Sequence, residues 1–270
     1  MGGSTSADLN SSASDTFGIQ LPTVQDQVDD FEDSFTQYKQ NKTRDRDIVV
    51  LEGGANDYFA GAANLASGNL SVSSFADTLS TTVINQLEQL RNIGFKTIVV
   101  ANIAAIQYSA MAIQTGEQKL ASVTINTYND LLASKTSAWA KTATDVKLIA
   151  MSDIGKFVEI TTNSPSIIHT LGLTNVTGSC IANSDSSSGG LSVSSFMDVQ
   201  SASVCADPSQ YYFFDSVHPA ERIQRLYGYY SWMEIKALRQ GTVFELNESN
   251  LLSIIKKYNL GTPAPKPAAI

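Results

Sequence analysis

The chain has 270 residues, of which 43% are hydrophobic and 16% charged, with a net charge of −8. That length suits one large domain or two small ones, and its longest apolar stretch, around Thr97–Ile106, is too short to span a bilayer as a helix. Nucleic acid and anionic membranes attract basic faces, which this acidic, Ser/Thr-rich chain lacks, and two histidines and two cysteines exclude most zinc sites.

Residues 1–20 (MGGSTSADLNSSASDTFGIQ) are small and polar and read as loop. They carry neither the basic cap nor the apolar core of a secretory signal, which taken alone indicates cytoplasm. Val24–Tyr38 places Val28, Phe31 and Phe35 at helical spacing. Asp47–Leu51 (DIVVL) is a short β-branched run with the pattern of a buried parallel strand, and it ends in Gly53-Gly54. Ser74–Asn92 puts Leu79, Val83, Leu87 and Leu90 on one helix face, with Gly94 at the stop position. Thr97–Ile103 (TIVVANI) is the next buried strand. Glu117–Lys141 is a long helix with Leu120, Val123, Leu131 and Leu132 as core candidates. Val146–Met151 is a third strand and Ile154–Thr161 a short helix. Gly172–Pro208 reads as loop and holds both cysteines. Pro219–Leu238 is a helix with proline in its first turn, where the missing N–H costs nothing. The Gly241–Leu260 segment carries Leu251, Leu252, Ile254 and Ile255 and reads as an extra helix, and Pro263–Ile270 as a disordered tail. Strands alternating with helices imply a parallel sheet covered on both faces.

Two features bear on compartment. Five Asn-x-Ser/Thr sequons occur, at Asn10, Asn41, Asn69, Asn175 and Asn247, although chance alone produces sequons in a Ser/Thr-rich chain. Cys180 and Cys205 flank a Ser/Gly-rich stretch. That arrangement fits a disulfide formed in an oxidising compartment and equally two buried free thiols.

Three short segments can carry chemistry. In Asp215-Ser216-Val217-His218-Pro219, the proline pushes His218 into extended backbone. Asp215 can fold back to accept from the imidazole Nδ1–H, which leaves Nε2 as a base; an ordinary turn before a helix has the same look. Gly53-Gly54-Ala55-Asn56-Asp57-Tyr58 follows the DIVVL strand, and ligands of open α/β sheets sit beyond the carboxyl ends of strands. Asn56 is thus placed to donate to a developing oxyanion, although a plain Gly/Asn turn would also read so. Gly2-Gly3-Ser4-Thr5-Ser6 could add a backbone N–H, or be a loose chain end.

Together these segments resemble the SGNH (GDSL) esterase/lipase family, most closely its secreted, fungal-type branch. The resemblance covers most of residues 1–238. It makes Gly3 and Asn56 oxyanion donors, His218 the general base and Asp215 its orienting acid. It implies a three-layer α/β/α sandwich with a flavodoxin-like parallel sheet. The family's Gly-Asp-Ser nucleophile block should precede the glycine block, yet no Gly-Asp-Ser occurs, nor any Gly-x-Ser-x-Gly. Ser4, Ser6 and Ser216 do not match the nucleophile position. The chain is therefore expected to be a hydrolase domain over 1–240, with a helical extension over 241–262. It is expected to lack the sheet's first strand and to have little activity alone.

The resemblance further implies a serine ester hydrolase needing no cofactor. It would be secreted in its full form and monomeric, and would act on a small-molecule or polysaccharide ester. The alternative is a non-catalytic protein that keeps the pocket for glycans or acylated carbohydrate. No His-Glu-x-x-His, Gly-x-Gly-x-x-Gly or Gly-Lys-Ser/Thr motif supports a metalloenzyme or nucleotide-binding protein.

Overall fold

The computed structural model describes residues 5–6, 22–37, 47–183 and 202–262. The chain forms two compact units. The first comprises Met1–Ala104, Leu120–Ile154 and Leu191–Ser194; the second comprises Ala105–Lys119, Gly155–Gly190 and Ser195–Ile270.

In the first unit, helix α1 (Val24–Gln37) precedes strand β1 (Val49–Leu51), which is followed by α2 (Ala55–Ser67), α3 (Val72–Ile93) and β2 (Thr97–Ala101). Helix α5 (Gln118–Thr142, whose first two residues belong to the second unit) and β3 (Leu148–Ser152) complete it. The three strands pair in parallel in the order β1-β2-β3. All five residues of β2 are buried, as expected for a strand flanked on both sides and covered on both faces. Helix α3 buries Phe75, Leu79, Val83, Leu87 and Leu90, spaced so that they fall on one side of a 3.6-residue helix. Burying a leucine such as Leu87 contributes about 1.5–3 kcal/mol. Ser71 caps the helix start by accepting from the Ser74 N–H, and Gly94 closes it at φ 107°, where its N–H reaches the Arg91 and Leu90 carbonyls. Along α5 the buried residues are Ala121, Thr124, Ile125, Tyr128, Leu132, Thr136 and Trp139. Val123 is 51% exposed, which corrects its place among the core candidates: Ile125 and Tyr128 hold the inward face.

The second unit holds α4 (Ala110–Thr115), α6 (Ile154–Asn163, whose first residue belongs to the first unit) and α7 (Pro165–Leu171). Strands β4 (Asn175–Ser179) and β7 (Tyr211–Phe213) pair in parallel, and β5 (Ile181–Asn183) pairs with β6 (Ala202–Val204) antiparallel. Helices α8 (Glu221–Arg239) and α9 (Glu248–Lys257) follow. Helix α8 buries Arg222, Ile223, Leu226 and Tyr230, and α9 buries Leu251, Ile254 and Ile255.

Parallel strands interleaved with helices give the α/β class, the arrangement of a three-layer α/β/α hydrolase sandwich. Three strands share the main sheet among the described residues, and β1 pairs there with β2 alone. Two expectations need correction. Gly172–Pro208 is not simply loop, because β4, β5 and β6 lie in it. Pro219 does not sit in the first turn of α8. The helix starts at Glu221 after the cap residue Ala220, while Pro219 bridges Phe213 in antiparallel fashion. The neighbours carry this bridge: the Phe214 N–H donates to the His218 carbonyl at 2.8 Å and the Ala220 N–H to the Tyr212 carbonyl at 2.7 Å, so the N–H that proline lacks is not needed. Residues 263–270, expected to be a disordered tail, lie outside the described residues.

Candidate active site

The Asp215–His218 turn grows from the end of β7 in the second unit. Phe213 ends the strand, and the Phe214 N–H donates to the His218 carbonyl at 2.8 Å, closing the turn on itself. Inside it one carboxylate holds three groups. Asp215 Oδ1 accepts the backbone N–H of Val217 at 2.9 Å and of His218 at 2.7 Å. Its Oδ2 lies 2.7 Å from His218 Nδ1. A carboxylate can only accept, so Nδ1 carries the proton and Nε2 is the basic nitrogen of the neutral ring. The pairing with Asp215 raises the imidazole pKa above its usual value, and partial burial only offsets this. For Asp215, burial is the largest single influence and opposes ionisation. The bonds from His218 and Val217 together outweigh it and hold the carboxyl below its ordinary value.

The strands around the turn tie it down. The Cys180 N–H donates to the Phe213 carbonyl at 3.0 Å and the Ile181 N–H to the Phe214 carbonyl at 2.8 Å. Cys180 and Cys205 form a disulfide, with their Cα atoms 4.8 Å apart, and the Cys205 N–H donates to the Cys180 carbonyl at 2.8 Å. The disulfide therefore sits on the segment that hydrogen-bonds the residues just before Asp215. From the other side, the Met111 N–H in α4 donates to the Ser216 carbonyl at 2.9 Å.

The Gly-x-Asn-Asp segment lies in the first unit. Leu51 ends β1, and Gly54 begins α2 in the left-handed region, φ 105°. A Cβ there would meet Ile103 Cδ1 at 2.7 Å, so only glycine fits both the backbone and the space. Asn56 sits in the first turn of this 13-residue helix and is half-buried. The positive end of the helix dipole points at anything bound there.

Asp57, the next residue, was given no role from the sequence. It is 1% exposed and accepts the Ser6 N–H through both carboxylate oxygens, at 3.1 and 2.9 Å. It also accepts the Ser6 hydroxyl at 3.1 Å. The Ser6 carbonyl takes the Gln86 amide at 2.9 Å and the Gln25 N–H at 3.1 Å. Burial pushes the Asp57 carboxyl upward, and the bonds from Ser6 limit the rise. The signal for this role was in the motif itself: an acid in the first turn of a helix, facing inward, needs a donor.

Gly3 and Ser4 lie outside the described residues, so the glycine block is seen only at Thr5 and Ser6, both buried. Ser6 is committed to Asp57 through its hydroxyl. Asn56 belongs to the first unit and Asp215 and His218 to the second. Among the described residues no group of His, Cys, Asp and Glu could hold a metal ion, and no helix is long and apolar enough to cross a membrane. What the turn can do chemically is take a proton at Nε2 and stabilise the resulting imidazolium through Asp215.

No curated protein matches the chain. The GDSL-like Lipase/Acylhydrolase family model matches residues 1–229, a span that contains all three segments just described.

Proposed function

The chain belongs to the GDSL-like lipase/acylhydrolase family, and from that premise we propose that it serves carboxylic ester hydrolysis by an acyl-serine route. His218 Nε2 is the general base that deprotonates the attacking serine and then returns the proton to the leaving alcohol. Asp215 fixes the Nδ1–H tautomer and stabilises the imidazolium. The Asn56 amide and the Gly3 N–H stabilise the tetrahedral oxyanion, each worth roughly 2.7–4 kcal/mol in comparable sites. The observation that carries this reading is the 2.7 Å contact of Asp215 with His218 Nδ1.

No Gly-Asp-Ser motif occurs in these 270 residues. Residues 1–270 alone are thus proposed to hydrolyse p-nitrophenyl acetate at close to the background rate. Hydrolysis well above background, abolished in His218→Ala, would overturn that and show that the chain is active through His218 without a Gly-Asp-Ser serine. Secretion is the proposed destination: a disulfide between Cys180 and Cys205 persists in oxidising compartments, and the sequon residue Asn69 is exposed. A shift in electrophoretic mobility of the protein from its native source on N-glycosidase treatment supports this; no shift, together with free thiols, argues against it.

A further inference from the structure

Beside the Asp215–His218 turn lies an open pocket lined by Phe214, Pro219, Glu221, Gln224 and Arg225. Its chemistry is divided. Phe214, 46% exposed, and Pro219 offer two apolar ring surfaces. The rest of the lining is an ion pair, Arg225 Nη1 to Glu221 Oε1 at 3.1 Å, and the Gln224 amide, which donates to the Pro219 carbonyl at 2.7 Å. Planar hydrogen-bonding groups in one pocket with an aromatic ring suit a pyranose, whose C–H face lies on an aromatic ring while its hydroxyls reach amide, carboxylate and guanidinium. An acyl chain would gain little here, because it would shut water away from charged and amide groups and offer them no hydrogen bond in return.

The same helix continues the surface. Arg225, Gly228 and Trp232 recur at the helical period, so they follow one outer face of α8. A side chain at Gly228 would meet nothing within 4 Å, which leaves that stretch low and open. Trp232 is 60% exposed, whereas the only other tryptophan, Trp139, is 8% exposed. Tryptophan is highly buried on average, so an outward-facing one is informative. From Arg225 to Trp232 the rise is about 10 Å, the span of about two pyranose rings.

We propose that the strip from Phe214 and Pro219 along α8 to Trp232 binds a neutral polysaccharide chain. It would present a sugar ester to the turn that carries His218. This deepens the ester-hydrolase reading by naming the alcohol part of the substrate, and it rests on that reading for the ester but not for the binding. An anionic membrane is disfavoured by the net charge of −8.

The test is tryptophan fluorescence with parallel calorimetry on the full chain, titrated with xylohexaose, cellohexaose and mannohexaose, and with phosphatidylcholine vesicles. The expected result is a saturable change in Trp232 emission and measurable heat with at least one hexaose. Phe214→Ala and Trp232→Ala, checked for fold by circular dichroism, should each weaken binding about tenfold or more. Trp232→Phe should retain calorimetric binding. Silence with all three sugars, binding to vesicles instead, or sugar binding unchanged in both alanine variants would overturn the proposal. Sugar binding with ester turnover near background is the result expected of these 270 residues, which hold no Gly-Asp-Ser motif; turnover abolished in His218→Ala but without sugar binding would remove the strip and leave the hydrolase reading standing.

Discussion

Asp215 divides its two oxygens between backbone and ring, and this division sets how His218 responds to pH. Because the bond to Asp215 favours the protonated imidazole, His218 should titrate above the ordinary value of 6.5. Following the ring protons by NMR checks this. In Asp215→Asn the midpoint should fall, since the favourable charge is gone while part of the desolvation stays. The linkage sign follows. A raised folded-state pKa stabilises the fold fully below the unfolded value, and that contribution disappears as pH rises through the folded value. With the His218 side chain 64% exposed, the stability effect should be small. A base must be neutral to act, so any His218-dependent hydrolysis should rise with pH through this shifted midpoint. Asp57 matters through the bonds that it accepts. Replacing it by alanine leaves the buried Ser6 N–H without its acceptor. The cost should be about 1–3 kcal/mol, measurable by urea unfolding. At this scale the sequence was readable where spacing alone creates a contact, as in Asp215-x-x-His218. It did not say which donor meets Asp57, because that partner lies 51 residues away.

Gly54 shows how one element start is specified. Its left-handed φ and the 2.7 Å approach of Ile103 Cδ1 together forbid a side chain. Gly54→Ala should therefore destabilise the chain by about 1–3 kcal/mol or more, seen as a lower denaturation midpoint with little change in the slope. Elements were legible in proportion to their length and periodicity. Helices α3 and α5 end within about two residues of expectation, the usual scatter of helix boundaries. The three-residue strands β5, β6 and β7 were not readable as strands, because so short a run shows no period and is fixed by its partners. Helix α2 hid for another reason: its sequence, ANDYFAGAANLAS, is rich in small residues and shows little contrast between its faces.

Across the whole molecule, the α/β class followed from alternation alone, while the division into two compact units had no marker in composition. The Cys180–Cys205 link closes a segment with a sequence separation of 25. In the chain-entropy account a loop of that size stabilises by about 3–4 kcal/mol. Cys180→Ser with Cys205→Ser should lower stability by an amount of that order. Since Cys180 and Ile181 hold Phe213 and Phe214 in place, the His218 NMR midpoint should also drift towards 6.5. An unchanged midpoint would mean that the turn holds itself. Strand β1 carries a different consequence. Val50 is 54% exposed on a strand that, among the described residues, pairs on one side only. Such an edge is a template on which a second copy can lay down its own strand. The behaviour to expect is colloidal: turbidity that grows with a lag, shortens with seeding and depends steeply on concentration. Val50→Lys should lengthen the lag, because a buried charge at the growing edge ends the stack.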